Sequence, residues 1–445
     1  NPEVKYGIYA NGTFVVGPPA TTHSIHVGDQ ASNSFGAITK GIYIVRNYDV
    51  DIFQNVFDGT ALGIEVYNNM NRSISIRDNS LAGFANYGIQ LQDNHYATIE
   101  VSGNTMNAGA NWLINPESKK GIYVNNSTFS KAALVIENNS VTNCYTGIHL
   151  MNHKYANIKG NSINFSVPDN IIDQAIDYRQ GIWLQWSDDV DVRNNQILRA
   201  CTQCGTVFQN GNGEYMRGII SDITQHALIH DNTLQTIPRG ILTRMKALGN
   251  QYYCNYLEDY MTGMFFSDNA KIDPQGSSTN STDNQWHTQN ISLMRLGGEL
   301  DPPGTNVDWY FNYVPGDVHD PNPYSTNVVL EINGASSQNC ILVPPIPLEP
   351  EKLSELLNDS SYLAYLTEKK LYDRLIVYRQ LKDSLQLMYS GSAYDLTLQN
   401  FFNLMALGNT GYLENVKDAL NSGDKAAAEI ANQQVVPSNL HESNN

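Results

Sequence analysis

The sequence predicts a mainly β protein in which short parallel strands stack as the coils of a solenoid. An eight-residue pattern recurs along its first two thirds and reads apolar, any, apolar, any, any, Asn, any, apolar, as in residues 190–197. The apolar residues alternate with period two, which indicates strands rather than helices. Each coil can bury only one face of its strands, so neighbouring coils must stack and share an apolar interior.

Further copies of the pattern define the repeat. They lie at residues 50–57, 74–81, 99–106, 134–141, 156–163 and 227–234, with a degenerate copy that ends at Asn255 and Leu257 and a last coil at 283–286. The basic unit has 22 to 25 residues, and insertions lengthen it at three places. The asparagine tolerates the left-handed backbone of a tight turn, and its amide both donates and accepts. Stacked asparagines are therefore expected to form a hydrogen-bonded ladder.

A second element, Gly-Ile, alternates with the first and marks a bend before the next strand. It begins at Gly7, Gly41, Gly63, Gly88, Gly121, Gly147, Gly181, Gly218 and Gly240. Glycine suits this position because a side chain there would obstruct entry to the strand.

Over about residues 1–290, these units resemble those of right-handed parallel β-helix proteins of the pectate-lyase-like superfamily. The resemblance implies the fold and an inward asparagine ladder. It leaves the activity open, because that superfamily contains lyases, hydrolases, epimerases, adhesins and proteins without catalytic activity.

Three domains are expected: a β-helix (1–299), a proline-rich connector or cap (300–350) and an α-helical region (351–445). One short strand is expected at 327–332, and helices are expected at 362–387, 394–407, 412–420 and 426–434. This layout is similar to that of secreted or surface proteins of Bacteroidota exported by type IX secretion, which implies an extracellular or cell-surface location. Residues 6–9 already read as part of a repeat, so we expect the chain to be a piece of a longer protein.

Composition narrows the choice of partners. The net charge of −17, without clustered Lys and Arg, argues against a nucleic-acid partner. No apolar run is long enough to span a membrane.

The spacing of Cys201 and Cys204 fits a local disulfide or two thiols better than a zinc site. The histidines lack the alternating spacing that metal ligation from one strand needs. We therefore predict no metal site or cofactor, and calcium, although compatible with the fold, is not indicated.

Asp188 and Asp189 are the candidate catalytic residues. Pectinolytic hydrolases on this fold carry an Asp-Asp element whose carboxyls protonate the glycosidic oxygen and activate water, and this pair is the part of their pattern that the sequence matches. The same pair would equally suit a bound cation or a solvated turn before a strand, so its role stays open.

The outward position after Gly-Ile predicts a stripe along the solenoid. It contains, coil by coil, Tyr9, Tyr43, Glu65, Gln90, Tyr123, His149 and Trp183. Flat aromatic rings at such spacing can stack on sugar faces. The candidate glycan-binding residues are Tyr43, Tyr123, His149, Trp183 and the nearby Trp186. Aromatic residues also favour strands and shield their neighbours, and the inserted segments would cover such a stripe.

Three functions fit the sequence. The first is an extracellular or cell-surface protein that binds a polysaccharide or surface glycan, or serves adhesion, without a defined catalytic site. The second is a polysaccharide lyase or glycoside hydrolase that acts in a groove along the solenoid. The third is a scaffold or secreted cargo whose helical region docks a protein partner.

Overall fold

A computed structural model provides the coordinates. It describes residues 5–11, 24–28, 33–36, 38–46, 49–68, 73–94, 98–109, 119–130, 133–166, 179–200, 216–277, 281–287, 294–300, 307–312, 318–324, 330–335, 412, 415–416, 419 and 425–433.

Three parallel sheets form the molecule's main unit, and the first nine coils each contribute one strand to each sheet. The first sheet contains Tyr6–Asn11, Lys40–Val45, Leu62–Tyr67, Tyr87–Gln92, Lys120–Ser130, Thr146–His153, Gln180–Gln185, Arg217–Asp222, Arg239–Lys246, Thr262–Lys271 and Met294–Leu300. The second contains Ser24–Val27, Asp49–Phe53, Ser73–Arg77, Thr98–Ser102, Leu134–Glu137, Ala156–Lys159, Asp191–Arg193, Leu228–His230 and Gln251–Tyr253. The third contains Ser34–Gly36, Val56–Asp58, Ser80–Ala82, Thr105–Asn107, Ser140–Thr142, Ser162–Ser166, Gln196–Ala200, Thr233–Gln235, Tyr256–Glu258 and Gln285–His287.

The isoleucines of the Gly-Ile elements form one buried column of the core. Ile42 pairs with Ile64, which pairs with Ile89, and the same register continues through Ile122 and Ile148. All five are fully buried. Identical residues stack because the strands are parallel and in register, as the repeat predicts.

The predicted asparagine ladder is present. Each amide Nδ2 donates to the Oδ1 of the asparagine on the next coil at 2.9–3.0 Å, from Asn55 through Asn79, Asn104, Asn139, Asn161, Asn195, Asn232 and Asn255 to Asn284. The ladder also extends one coil towards the N-terminus, because Asn33 Nδ2 donates to Asn55 Oδ1 at 2.9 Å. The sequence pattern did not include Asn33, since extra residues separate it from the strand Ser24–Val27.

The expectation that the ladder asparagine adopts the left-handed backbone is wrong by one position. That conformation belongs to the residue before it: Gln54, Asp78, Gly103, Asn138, Gly160, Asn194, Asp231, Cys254 and Asp283 have φ between 45° and 64°. The preceding residue bends the chain between the second and third sheets, and the ladder asparagine then points its amide inward.

The described part of the segment expected to be a connector contains two strands, whereas one was predicted. Val307–Asn312 pairs in parallel with Leu330–Ala335, which overlaps the predicted strand at 327–332. The first of these strands was not predicted. Its Val307, Trp309 and Phe311 belong to the hydrophobic core, where Trp309 is 1% exposed.

The chain divides into two compact units, Asn1–Ile341 and Leu342–Asn445. In the second unit the α-helix Lys425–Gln433 matches the helix predicted at 426–434, and the four described residues between 412 and 419 are also helical. The helices predicted at 362–387 and 394–407 lie outside the described residues. Among the helices that the structure describes, none has the length and apolar character needed to cross a membrane.

Candidate functional site

The outward stripe of the first sheet is aligned as predicted. Tyr9, Tyr43, Glu65, Gln90, Tyr123, His149 and Trp183 occupy matching positions on consecutive strands. The register continues with Ile220, Leu242 and Phe265, so two aliphatic residues follow Trp183 and interrupt the polar and aromatic part of the stripe. From Tyr43 to Trp183 the stripe spans five steps between coils, or about 24 Å.

The rings of the stripe stack on one another. His149 and Trp183 lie 4.1 Å apart with an interplanar angle of 5°, and Tyr123 lies 5.0 Å from His149. Tyr43 stacks on Tyr6 at 5.8 Å. Because the rings stack face to face along the solenoid axis, mainly their edges point outward. His149 is also only 3% exposed. The sugar-stacking mode expected from the sequence is therefore disfavoured here, and a ligand would meet ring edges and polar groups.

Two lysines occupy matching places beside the stripe but have different partners. Lys40 Nζ lies 3.9 Å from the centre of the Tyr43 ring and 2.5 Å from Glu65 Oε2 on the next coil. Lys120 Nζ lies 3.8 Å from the centre of the Tyr123 ring and 3.0 Å from His149 Nδ1 on the next coil. Imidazole thus replaces carboxylate in the second case.

Burial shifts the pKa values of Lys120 and His149. Burial lowers the pKa of Lys120 to about 8. Burial, followed by the charge of Lys120, lowers the pKa of His149 to about 3, so His149 is neutral at physiological pH. When the Lys120 ammonium donates to Nδ1, the His149 Nε2–H can donate to Gln185 Oε1, 3.2 Å away. The Lys120 ammonium is therefore a cation that lies next to a neutral imidazole ring rather than next to a carboxylate.

A second cluster lies at the turn between the first and second sheets. Lys154, Asp188 and Gln225 form parallel bridges across three consecutive coils. Tyr155, Asp189 and His226 follow them, each with a left-handed backbone. The turn thus stacks Lys154, Asp188, Asp189 and His226 in one small area; we call these four residues the turn cluster.

The side chains of the turn cluster are joined by short polar contacts. Lys154 Nζ lies 2.9 Å from Asp189 Oδ2 and 3.5 Å from Asp188 Oδ2. His226 Nδ1 lies 2.8 Å from Asp188 Oδ1 and 3.8 Å from Asp189 Oδ1. Burial lowers the pKa of Lys154, but the hydrogen bond and charge of Asp189 outweigh it and raise that pKa above its ordinary value. One ligand atom from each of Asp188, Asp189 and His226 lies within 4.8 Å of the others, so these residues could hold a metal ion.

Exposed apolar side chains border the turn cluster. Tyr155 is 53% exposed and Trp186 is 41% exposed, and Met245 and Leu248 are exposed on a coil that follows. The Lys154 ammonium lies 5.0 Å from the Tyr155 ring centre. Unlike Trp183, Trp186 lies outside the strand, at a left-handed position one residue after Gln185. It is the predicted glycan-binding residue whose ring is most open to solvent.

A third polar group surrounds His230 on the outer face of the second sheet. Its Nε2 lies 3.0 Å from Asp191 Oδ1, its Nδ1 lies 2.7 Å from Asp231 Oδ2, and its ring stacks on Tyr253 at 4.5 Å. Burial lowers the pKa of His230, but the hydrogen bonds and charges of Asp191 and Asp231 raise it overall. This buried imidazole is held by two separate carboxylates, which fits a structural role.

The structure brings some predicted residues together and leaves others apart. Asp188, Asp189 and Trp186 lie at the turn cluster, whereas Tyr43 lies several coils from Trp183. Sequence reasoning missed Lys154 and His226. A signal was present, because Lys154 and Asp188 are the seventh residues after Gly147 and Gly181, and Asp189 and His226 are the eighth after Gly181 and Gly218. Glycan contact at the predicted glycan-binding residues stays a prediction. Cys201 and Cys204 lie outside the described residues.

Comparison with known proteins supports the architecture. A family model for the right handed beta helix region matches residues 62–242. Together with three stacks of parallel, in-register strands, this match shows that the chain folds as a right-handed parallel β-helix. Comparisons with curated proteins and with solved structures found no match.

Proposed function

We propose that this β-helix protein binds an acidic glycan, outside the cell or at its surface, along the outer face of the first sheet around Lys120. The observation that carries the proposal is the contrast between Lys40, which contacts the Glu65 carboxylate, and Lys120, which meets the neutral His149 in the matching place. Among the described residues, no carboxylate contacts the Lys120 ammonium. A carboxylate or sulfate of a ligand would supply the missing negative charge.

The surroundings of Lys120 suit a polymer better than a small anion. Gln90 and Gln185 offer amides on the same face, and Tyr123 offers its hydroxyl. The stripe runs along the solenoid for about 24 Å, a length that fits several sugar units. Cys254 is disulfide-bonded, which is typical of oxidising compartments and supports an extracellular location.

The hydrolase alternative receives less support from the turn cluster. The nearest oxygens of Asp188 and Asp189 lie within 4.8 Å of each other. In glycosidases the paired carboxyls flank the scissile bond, with the two groups about 5–5.5 Å apart in retaining enzymes and about 6.5–9.5 Å apart in inverting ones. The two aspartates also follow each other on one turn, so they do not face each other across a groove.

Binding to a polyuronate, compared with the same polymer after reduction of its carboxyls, tests the proposal. We expect wild-type protein to prefer the acidic polymer, and Lys120→Met to weaken its binding at least tenfold. His149→Glu should also weaken it, because it recreates the Lys40–Glu65 pair while keeping the lysine. Binding should decline as the pH rises through about 8, where Lys120 loses its charge.

Lys159→Met is the matched control, since Lys159 lies on the second sheet and already contacts Glu137 at 2.7 Å. Equal binding to both polymers, or unchanged binding by Lys120→Met and His149→Glu, would refute the proposal. Release of reducing sugars or unsaturated products in the same samples, abolished by Asp189→Asn, would favour the enzyme instead.

A further inference from the structure

The turn cluster points to a metal site that is separate from the proposed glycan-binding face. We infer that Asp188, Asp189 and His226 bind a divalent transition-metal ion, with Zn²⁺ or Co²⁺ as representative ions. The inference rests on the convergence of one oxygen from each aspartate and one imidazole nitrogen, all within 4.8 Å of one another.

The distances between donor atoms match those around such an ion. For metal–ligand bonds of about 2.1 Å, neighbouring donors lie about 3.0 Å apart in an octahedral site and about 3.4 Å apart in a tetrahedral one. In the turn cluster, His226 Nδ1 is 2.8 Å from Asp188 Oδ1 and 3.8 Å from Asp189 Oδ1. The shorter contact is a hydrogen bond between the two side chains. An ion bound here would replace the proton of this hydrogen bond, because a metal takes the imidazole nitrogen in its deprotonated form.

Lys154 orients the two carboxylates by contacting the oxygens that do not face His226. Its ammonium contacts the Oδ2 atoms of Asp188 and Asp189, whereas His226 faces the Oδ1 atoms. The lysine thus holds each carboxylate with one oxygen turned towards the imidazole. It also leaves the cluster with a net negative charge when His226 is neutral, the form that binds a metal.

The backbone fixes the position of the imidazole. Asp189 N donates to Gln225 O at 3.1 Å, which ties the aspartate to the coil that carries His226. The His226 ring lies against Gly249, where an added Cβ would come within 2.3 Å of the ring carbon Cδ2. Any larger residue at position 249 would push the ring away, so Gly249 is a positioning residue for the site.

The donor set favours a transition metal over calcium. Imidazole with carboxylates suits Zn²⁺, Co²⁺ and Ni²⁺, whereas Ca²⁺ takes six to eight oxygen ligands. The side chains of Asp189 and His226 are 35% and 37% exposed, which leaves room for water or a ligand atom on the ion. His230 offers a contrast, because its two nitrogens contact different carboxylates and no three donors converge there.

Titration of the full chain with Zn²⁺ by calorimetry, and with Co²⁺ by its visible absorption spectrum, tests the inference. We expect saturable binding with an imidazole-containing Co²⁺ spectrum. His226→Ala and Asp189→Asn should each weaken binding at least tenfold.

His26→Ala is the matched control, since His26 is an exposed histidine 3.5 Å from a single carboxylate, that of Asp51. The inference fails if wild-type protein binds neither ion, or if His226→Ala and Asp189→Asn bind as wild type. Circular dichroism of each variant verifies the fold, and Asp189→Asn, which keeps the shape of the side chain, decides the case should His226→Ala misfold.

Discussion

Asn139 illustrates how one residue can join three coils. Its Nδ2 donates to Val101 O at 2.8 Å on the preceding coil and to Asn161 Oδ1 at 2.9 Å on the following one. Its Oδ1 accepts from both the backbone N–H and the Nδ2 of Asn104. Because the amide is buried, its loss would deprive the Val101 carbonyl and the Asn104 backbone N–H of this partner. Asn161 Oδ1 would still accept from the Asn139 backbone N–H.

Replacing Asn139 by Ala should therefore lower the free energy of unfolding by about 3 kcal/mol, since buried backbone donors and acceptors lose their partners. Urea unfolding measures the change. Asn138→Gly is the control, because Asn138 has φ 55° and glycine occupies the matching turn position at Gly103 and Gly160. Its unfolding free energy should stay within about 1 kcal/mol of wild type. A similar loss in both variants would contradict a specific role for the ladder amide.

His230 predicts a pH dependence of stability. Its pKa is raised in the folded state by Asp191 and Asp231, although burial opposes this. The imidazolium contact therefore stabilises the fold fully below the unfolded pKa of about 6.5, and this contribution is lost as the pH rises through the folded value. Asp191→Asn should flatten that decline relative to wild type in urea unfolding between neutral and alkaline pH. Parallel curves for the two proteins would show that the contact does not couple to folding.

At the scale of elements, the repeated glycines permit the first and third sheets to meet closely. At Gly121, an added Cβ would lie 2.6 Å from Gly147 O and 2.6 Å from Val141 Cγ1. Neighbouring coils repeat the same close approach, with the next glycine's carbonyl as the obstacle. The column of glycines thus reflects the path of the chain into each strand of the first sheet.

Gly121→Ala should lower the free energy of unfolding by about 2 kcal/mol, because the backbone at Gly147 and the side chain of Val141 must move to admit a methyl group. Gly36→Ala is the control, since its nearest contact would be Asp58 O at 3.7 Å and the residue is exposed in its strand. Thermal unfolding of both variants measures the difference. Equal stability of the two variants would mean that the sheets can separate without cost.

The turn between the first and second sheets carries the inferred metal site. Its left-handed positions hold Tyr155, Asp189 and His226, which are bulky or charged residues where glycine would be easier to accommodate. Left-handed residues other than glycine also occur at other turns of the β-helix, such as Ile223 and Thr236, so this conformation by itself does not mark a site.

At the scale of the whole molecule, the β-helix unit closes its core with a strand outside the three main sheets. Trp309 in Val307–Asn312 bridges in parallel to Gln275 and is buried with Val307 and Phe311. Covering the last coil protects apolar side chains and strand edges that would otherwise face water.

Deleting residues 342–445 should leave the strand signal in circular dichroism and the Tm of the β-helix unchanged, because the chain divides into two compact units at that point. Deleting residues 307–445 should lower the Tm, since three core side chains are then lost. Differential scanning calorimetry compares the two truncations. A large fall in Tm for the shorter deletion would show that the β-helix depends on the second unit.

Much of the fold could be predicted because each repeat unit carries the same residue types at the same positions. Asn79, Asn104 and their equivalents recur in a fixed frame with apolar neighbours, and parallel in-register stacking follows from that frame. Val307–Asn312 was missed because it occurs once, in a proline-rich segment, without a repeat to reveal it. The left-handed residue was misplaced because asparagine suits both the turn and the ladder.

The candidate site could be predicted only in part. Asp188, Asp189 and Trp186 stood out because they are adjacent in the sequence and break the repeat. His226 did not, since it lies 38 positions from Asp188 and acquires its partner only when the coils stack. The same holds for Lys120, whose significance depends on facing His149 where Lys40 faces Glu65.

The sequence by itself therefore determined the architecture: parallel coils, an asparagine ladder and an isoleucine core, because each depends on residue types that repeat along the chain. Only the tertiary structure decided which side chains share a surface across coils and which ring faces are covered. Those relations depend on the stacking register and on contacts between residues tens of positions apart, which the sequence shows only as matching positions in different repeat units.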